Sequence, residues 1–300
     1  MANLSKQFRY DTSGEWVKGN THSHSTASDG GKTFQELAAL YHSAQYDFMF
    51  RTDHWVCSDV ENDDEEYPLL WLDGIELDGH AEDGEYFHVV CLGKLSGIVR
   101  EDGLDGAIAK AQEQGALTIL AHPVWLGNLL DDCLRWNLDG VEIYNHVCHW
   151  MNGKSNGLAH FNAGLSEKSE FLGFASDDTH LQPDVPGWKG GWIWINLKEF
   201  NRKEIYEAIH SGNYYSSCGP EIHSIEFDGK FLNVKTSPIQ FARLVGFRSE
   251  GSWIGTAEGP LLEEFSMEIS LDWKYVYLEI EDENGRCAWT NNLFVRNEPA

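Results

Sequence analysis

Two histidines separated by one residue open the run His22-Ser-His24-Ser-Thr-Ala-Ser-Asp29-Gly30. On an extended strand, residues i and i+2 point the same way, so these imidazoles stand side by side, and Asp29 can add a carboxylate from the following loop. Imidazole nitrogens with carboxylate oxygens suit a divalent ion of borderline hardness. An H-x-H pair alone reads equally well as a polar loop with two solvated histidines. Thr52-Asp53-His54, at the end of the next apolar run, argues against that blander reading because it repeats the setting. Of 13 histidines, eleven lie between His22 and His180 and none follows His223, so any histidine chemistry belongs to the first two thirds of the chain.

Residues this far apart need a scaffold that gathers them. Gly19 to His24 reads as a strand end. Phe34, Leu37, Ala38 and Tyr41 recur at helical spacing and predict a helix from Thr33 to Gln45. Further strands are expected at Tyr46–Arg51, Leu69–Leu77, Glu85–Leu92, Ala116–Ala121, Gly140–Tyr144, Phe171–Ala175 and Gly191–Asn196. Further helices are expected at Leu104–Gln114, Gly127–Trp136, Asn156–Ser169 and Arg202–His210. Such alternation implies α/β structure with parallel strands covered by helices. In these folds polar chemistry collects where strands end at their C-terminal edge. His22, His24, His54, His122, Asp178 and His180 all follow strand-like runs, so scattered positions become one spatial cluster. From Gly219 the pattern changes to antiparallel strands at Ile222–Phe227, Gln240–Gly246, Ser266–Leu271 and Tyr275–Glu281, with Asp228-Gly229 and Glu283-Asn284-Gly285 as turns. The expected division is 1–218 and 219–300.

The 300 residues carry 22 Lys and Arg against 48 Asp and Glu, a formal charge of -26. Nucleic-acid backbones and anionic membrane surfaces would be repelled. A hydrophobic content of 42% with 12 Trp excludes a disordered acidic chain. The longest apolar runs, such as Ala116 to Ala121, are far short of a bilayer span. Met1 to Asp11 is polar and does not read as a secretory signal. Six cysteines without C-x-x-C spacing read as reduced thiols, so a cytoplasmic location is expected.

Taken in order, H-x-H-S-x-x-S-D-G at His22 to Gly30, T-D-H at Thr52 to His54, Glu76, His88, His122-Pro123 and D-x-H at Asp178 to His180 resemble the PHP (polymerase and histidinol phosphatase) superfamily of metal-dependent phosphoesterases. The resemblance covers about residues 19 to 218. Glu142 to Asn145, the doubled acid in Ser176-Asp177-Asp178-Thr179-His180 and the β tail ending at Asp282 to Asn291 look most like the CehA/McbA-type branch. The resemblance implies a distorted (β/α)7 barrel with a small C-terminal antiparallel β domain. It also implies a mouth holding two or three divalent metals (Zn, Mn or Fe; Co is also compatible). The implied ligands are His22, His24, Asp29, His54, Glu76, His88, His122, Asp178 and His180, with Glu76 as the natural bridge between ions.

That centre would supply metal-bound hydroxide near neutrality. The expected activity is a phosphoesterase acting on a small, soluble, anionic, phosphorylated substrate. The same nucleophile could attack a carbamate, carboxylate ester or lactone. A third reading is a non-catalytic module whose β tail binds a partner while metals stabilise the barrel, but all nine ligand positions are filled. Asp53, Asp177 and Arg51 are expected helpers of the metal-bound hydroxide: Asp53 orients a loop or an imidazole, and Asp177 stands behind the ligands and holds an imidazole, with direct ligation the alternative for both. Arg51 either contacts a substrate phosphate or forms an internal salt bridge. Glu142, Tyr144 and Asn145 either line the pocket or stabilise a turn. His146 and His149 read as ordinary polar residues, as do His42, His80, His160, His210 and His223. The oligomeric state is open.

Overall fold

The computed structural model describes residues 6–296; of the polar N-terminal run, residues 1–5 lie outside them. The chain divides into two compact units. One, the histidine unit, comprises residues 17–163 and 174–193; the other, the β unit, comprises residues up to 16, 164–173 and those from 194 onward.

Strand β1 (Lys6–Phe8) belongs to the β unit, and β2 (Glu15–Asn20) carries the chain into the histidine unit. Helix α1 (Phe34–Ser43) begins where the sequence supplies a complete cap. The Thr33 hydroxyl accepts from Glu36 N while the Glu36 carboxylate accepts from Thr33 N at 2.9 Å. Its buried stripe is Leu37, Ala38 and Tyr41. Strand β3 (Phe48–Arg51), buried throughout, pairs in parallel with β2 and with β4 (Leu70–His80). Strand β5 (Tyr86–Leu92) is antiparallel to β4 and to β6 (Leu117–Leu120), with α2 (Gly103–Glu113) between β5 and β6 in sequence. The expectation of an all-parallel sheet therefore fails at β5. Only five residues join β4 to β5, and a parallel return needs a crossover of a dozen or more.

After β6 come α3 (Pro123–Leu126), β7 (Gly140–Asn145), α4 (His146–Asn152), α5 (Leu158–Glu167) and β8 (Leu172–Ser176). The helix expected over Gly127–Trp136 does not form. Gly127 takes φ +84° and stops α3, and the following 3-10 stretch Leu130–Asn137 is non-helical at Arg135 and Trp136. Helix α4 was not anticipated; the Asn145 side chain starts it by accepting from Cys148 N at 3.0 Å. The strand order is β2-β3-β4-β5-β6-β7-β8, and just beyond the two outer members Ser23 and Thr179 form a parallel bridge, with His24 N donating to Thr179 O at 2.9 Å. The unit is thus α/β with a mixed sheet, and the ends of β2 and β8 lie together.

Strand β9 (Trp192–Leu197) begins in the histidine unit and ends in the β unit, followed by α6 (Arg202–Ser211) and β10 (Tyr214–Ser217). Then come β11 (Ile222–Phe227), β12 (Phe231–Ile239), β13 (Phe241–Gly246), β14 (Gly251–Gly255), β15 (Leu262–Glu268), β16 (Val276–Glu281), β17 (Cys287–Thr290) and β18 (Phe294–Arg296). Within the β unit they run β14-β13-β16-β17-β10 and β11-β12-β15, with β1 beside β18. Inward-facing residues such as Leu232 and Val234, alternate on β12, with Ile222, Ile225, Leu244 and Leu278, form its core. The Asp228-Gly229 turn is as expected, with Asp228 accepting from Lys230 N and Phe231 N. The strand expected at Ser266–Leu271 lies four residues earlier at its start. Strands β1, β10, β12, β14, β17 and β18 went unforeseen because their alternation is short or interrupted, as by Pro238 in β12. No helix among the described residues is long and apolar enough to cross a membrane.

The loop after β2 packs tightly enough to demand glycine. A Cβ on Gly30 would stand 2.2 Å from His24 O. Gly30→Ala is therefore expected to cost about 1–3 kcal/mol in chemical denaturation. An unchanged midpoint would show that the loop can move aside.

Candidate metal centre

The strand ends bring nine histidine, aspartate and glutamate side chains to one place. His22 and His24 follow β2, His54 follows β3, Glu76 lies on β4, His88 on β5, His122 follows β6, and Asp178 and His180 follow β8. Asp29 reaches in from the loop before α1. His22 Nε2 and His24 Nε2 are 3.1 Å apart, and each lies 3.1 Å from Glu76 Oε2. Asp178 Oδ1 lies 3.3 Å from the first and 3.2 Å from the second. Ligands at 2.0–2.2 Å from a tetrahedral ion are about 3.3–3.6 Å apart, so this spacing is close to that of a coordination shell.

Two further groups share members with the first. His24, Asp29, His54 and His180 converge on one side, and His54, Glu76 and His88 on another. Glu76 divides its oxygens between them: Oε1 lies 2.9 Å from His88 Nδ1 and 3.4 Å from His122 Nε2, while Oε2 faces His22, His24 and, at 3.3 Å, His54. Asp29, half exposed, sets Oδ2 3.4 Å from His180 Nε2 and Oδ1 3.4 Å from His24 Nδ1. The fit to a cation can be judged from the atoms themselves. Asp178 Oδ1 and His24 Nδ1 are buried with no hydrogen-bond partner. Buried polar atoms without partners are rare and costly, and a divalent ion would satisfy such a set.

Electrostatics agree. Burial works against charge on His22, but Asp178, Glu76 and Glu142 hold its pKa well above the usual imidazole value. His24, also opposed by burial, is raised to about 9 by Asp178 and Glu76. Burial would raise Glu76 and Asp178, yet the surrounding imidazoles keep both well below the usual carboxylate range. The carboxylates thus demand positive charge from their surroundings, which metal ions would supply in exchange for protons.

Behind these atoms stands a supporting layer that the sequence only partly disclosed. Glu142, buried on β7, accepts four hydrogen bonds: from His22 Nδ1 (2.8 Å) and Ser176 Oγ (2.5 Å) on one oxygen, and from His122 N (2.8 Å) and Asn145 Nδ2 (2.8 Å) on the other. The bond to His22 Nδ1 turns Nε2 toward the cluster. Asn145 Nδ2 also reaches Asp178 Oδ2 at 3.2 Å. His180 is oriented by donation from Nδ1 to Asp178 O at 2.9 Å. Asp78, which the sequence reading missed, stands 3.0 Å from His54 Nδ1. Its signal was available, since Asp78 shares a strand face with Glu76 two residues earlier. Trp55, His122, Asp178 and Leu181 all take positive φ, a conformation that costs energy in non-glycine residues and gathers at functional sites.

The three expected helpers do not join the cluster. Arg51 is buried and paired with Asp63 at 2.5 Å, with its guanidinium 4.0 Å from the Phe34 ring centre, so it is the internal salt bridge and not a phosphate contact. Asp177, adjacent to Asp178, faces away from it. Its carboxylate accepts from Tyr41 OH (2.7 Å) and from the N–H groups of Lys189, Gly190 and Gly191, holding no imidazole. Asp53 orients a loop, accepting from Ser25 N and Oγ and from Ser28 N and Oγ. His146 lies outside the cluster, 3.2 Å from Tyr144 OH.

No family model and no curated protein matches the sequence. Among solved structures, a two-domain protein from Bacteroides vulgatus ATCC 8482 containing a "predicted PHP-like metal-dependent phosphoesterase" is similar over 98% of this chain and 99% of its own, at 15% identity and a TM-score of 0.54. A proposed metal-dependent phosphoesterase from Bifidobacterium adolescentis ATCC 15703 covers 65% of this chain and 96% of its own, at 14% identity and a TM-score of 0.45. An amidohydrolase from Chromobacterium violaceum with bound sulfate and no metal covers 57% and 90%, at 13% identity and a TM-score of 0.38. The first of these likenesses shows that this chain shares the fold of that two-domain protein.

Two substitutions separate the ligands from their supports. Glu142→Gln presents an amide donor where donors already converge, and metal affinity measured by chelator competition is expected to fall about 10–100-fold. An unchanged affinity would remove Glu142 from the supporting role. Asp177→Ala leaves four donors without their acceptor, the buried Tyr41 OH and Gly191 N and the partly buried N–H groups of Lys189 and Gly190, so a loss of about 3 kcal/mol in denaturation is expected with metal stoichiometry retained. Lost stoichiometry would make Asp177 part of the centre.

Proposed function

We propose that the protein is a metal-dependent hydrolase, and specifically a phosphoesterase acting on a small soluble phosphorylated substrate. The observation that carries this is the convergence of His22 Nε2, His24 Nε2, Glu76 Oε2 and Asp178 Oδ1 at 3.1–3.3 Å, with Asp178 Oδ1 otherwise unpartnered. The nine side chains, His22, His24, Asp29, His54, Glu76, His88, His122, Asp178 and His180, would hold two or three divalent ions on a PHP-type barrel. The bridge between Ser23 and Thr179 supports that barrel reading. Zn, Mn and Fe all suit imidazole with carboxylate.

Divalent ions in such a centre activate water near neutrality and neutralise the oxygens of an in-line displacement. The chain's own residues fix the geometry. Glu76 aims its two oxygens at different ligand groups and so would bridge. Glu142 fixes the His22 tautomer, and Asp78 stands behind His54. A net charge of -26 does not oppose an anionic substrate, because bound ions would make the mouth locally positive. Membership of the CehA/McbA-type branch rests on Glu142 to Asn145, Ser176 to His180 and the β tail. Residues 219–300 are read as an accessory β segment. Six free cysteines among the described residues support a reducing, cytoplasmic setting.

Protein loaded with Mn or Zn is expected to hydrolyse phosphomonoesters or phosphodiesters, to lose that activity on chelation, and to recover it on reloading. Glu76→Gln is expected to lower kcat at least about a hundredfold. Turnover of aryl carbamates alone would replace the phosphoesterase reading with carbon-centred ester hydrolysis. No turnover of any ester by fully metal-loaded protein would contradict both.

A further inference from the structure

The cavity over the cluster has two unlike halves. Its volume is about 260 Å³, and one side is made of the imidazole and carboxylate groups already described. The other side consists of Trp125, Val147, Cys148, Met151 and Val185, with Gln182 the neutral polar side chain among them. No lysine or arginine among the described residues lines it. Arg100, which approaches Asp78 at 3.6 Å, is not among the lining residues and sits over the Trp55 ring.

The apolar half is held in place by the same elements that hold the ligands. Trp125, on α3, meets the His122 ring edge-on at 5.3 Å and the His88 ring at 6.3 Å. Val147 and Met151 are four residues apart on α4 and share one face. That helix is tied down by the Asn145 cap and by Val147 N donating to Asp177 O at 3.1 Å. Cys148 is buried, and burial pushes its thiol pKa upward, so it contributes a neutral surface. Met151 remains 47% exposed although it lines the cavity, which leaves apolar surface at the mouth for a ligand to cover.

We infer that this cavity selects substrates whose non-reacting portion is apolar, about one ring in size, and free of any second charge, with Trp125, Val147, Met151 and Val185 as the specificity-determining residues. This rests on the hydrolase reading and names its substrate class. A second phosphate or a carboxylate on the substrate would lie against apolar walls with no cation to pair it. A ring would instead gain burial against Trp125 and the α4 face. The size follows from volume: an apolar cavity of about 150 Å³ takes a benzene, so 260 Å³ accommodates one ring together with the reacting group.

The test uses probes that are not turned over. Isothermal titration of metal-loaded protein compares phenylphosphonate, methylphosphonate and phosphonoacetate, and in parallel benzohydroxamate with acetohydroxamate, which chelate metals without a phosphoryl group. The phenyl member of each pair is expected to bind at least about tenfold tighter than the methyl member, and phosphonoacetate no tighter than methylphosphonate. Trp125→Ala and Met151→Ala should each shrink the phenyl-to-methyl ratio while metal content stays constant. Equal affinities within the pairs, tighter binding of phosphonoacetate than of phenylphosphonate, or ratios untouched by both variants would overturn the inference. If no phosphonate binds while the hydroxamates keep their tenfold ratio, the apolar wall stands and the phosphoesterase reading fails.

Discussion

The structure depends on three buried carboxylates, Glu76, Glu142 and Asp178, packed among imidazoles where water cannot solvate them. Burying a charge is expensive unless it is paired, so this arrangement persists only if positive charge is delivered to it. Glu142 is satisfied by four hydrogen bonds from the chain itself. Glu76 and Asp178 are not closed off in that way; they face His22 and His24 across 3.1–3.3 Å, and Asp178 Oδ1 has no hydrogen bond. The difference between a closed carboxylate and two open ones separates a supporting residue from two candidate ligands.

The fold explains how residues from 22 to 180 meet. Each strand of the histidine unit ends at the same edge, except β5, whose antiparallel direction places His88 near its start instead of beyond its end. This reversal matters to the site. His88 faces Glu76 across the hairpin that joins their strands, and β4 is long enough to carry both Glu76 and Asp78. Positive φ at His122 and Asp178 then turns those side chains inward, with Glu142 accepting from the His122 backbone. The site is thus bound to local strain that surrounding hydrogen bonds restrain.

Much of this was legible in the sequence, and the limits have physical causes. His22, His24, His54, Asp178 and His180 stood out because H-x-H, T-D-H and D-x-H each follow an apolar run, whereas Glu76 and His88, which lie inside strands, were marked only by the family resemblance; the structure gathers all nine. The direction of β5 was not legible from alternation alone; it is set by the shortness of the turn after His80. The supporting roles depend on which way a side chain turns. Asp177 and Asp178 are neighbours of the same type, yet one accepts from Tyr41 and three backbone N–H groups while the other faces the imidazoles. Arg51 likewise carried a charge that could have served a substrate, and only the proximity of Asp63 and the Phe34 ring shows where it goes. In the β unit, short strands such as β14 and β18 are stabilised by their partners more than by their own pattern, so single-segment periodicity does not find them.

The central claim is that His22, His24, Glu76 and Asp178 enclose a cation. Anomalous diffraction from crystals grown with Mn or Zn tests it most directly. The account predicts a peak about 2.0–2.2 Å from His22 Nε2, His24 Nε2, a Glu76 oxygen and an Asp178 oxygen. Crystals grown with excess metal that show these four side chains ordered as described, with no anomalous density between them, would contradict it.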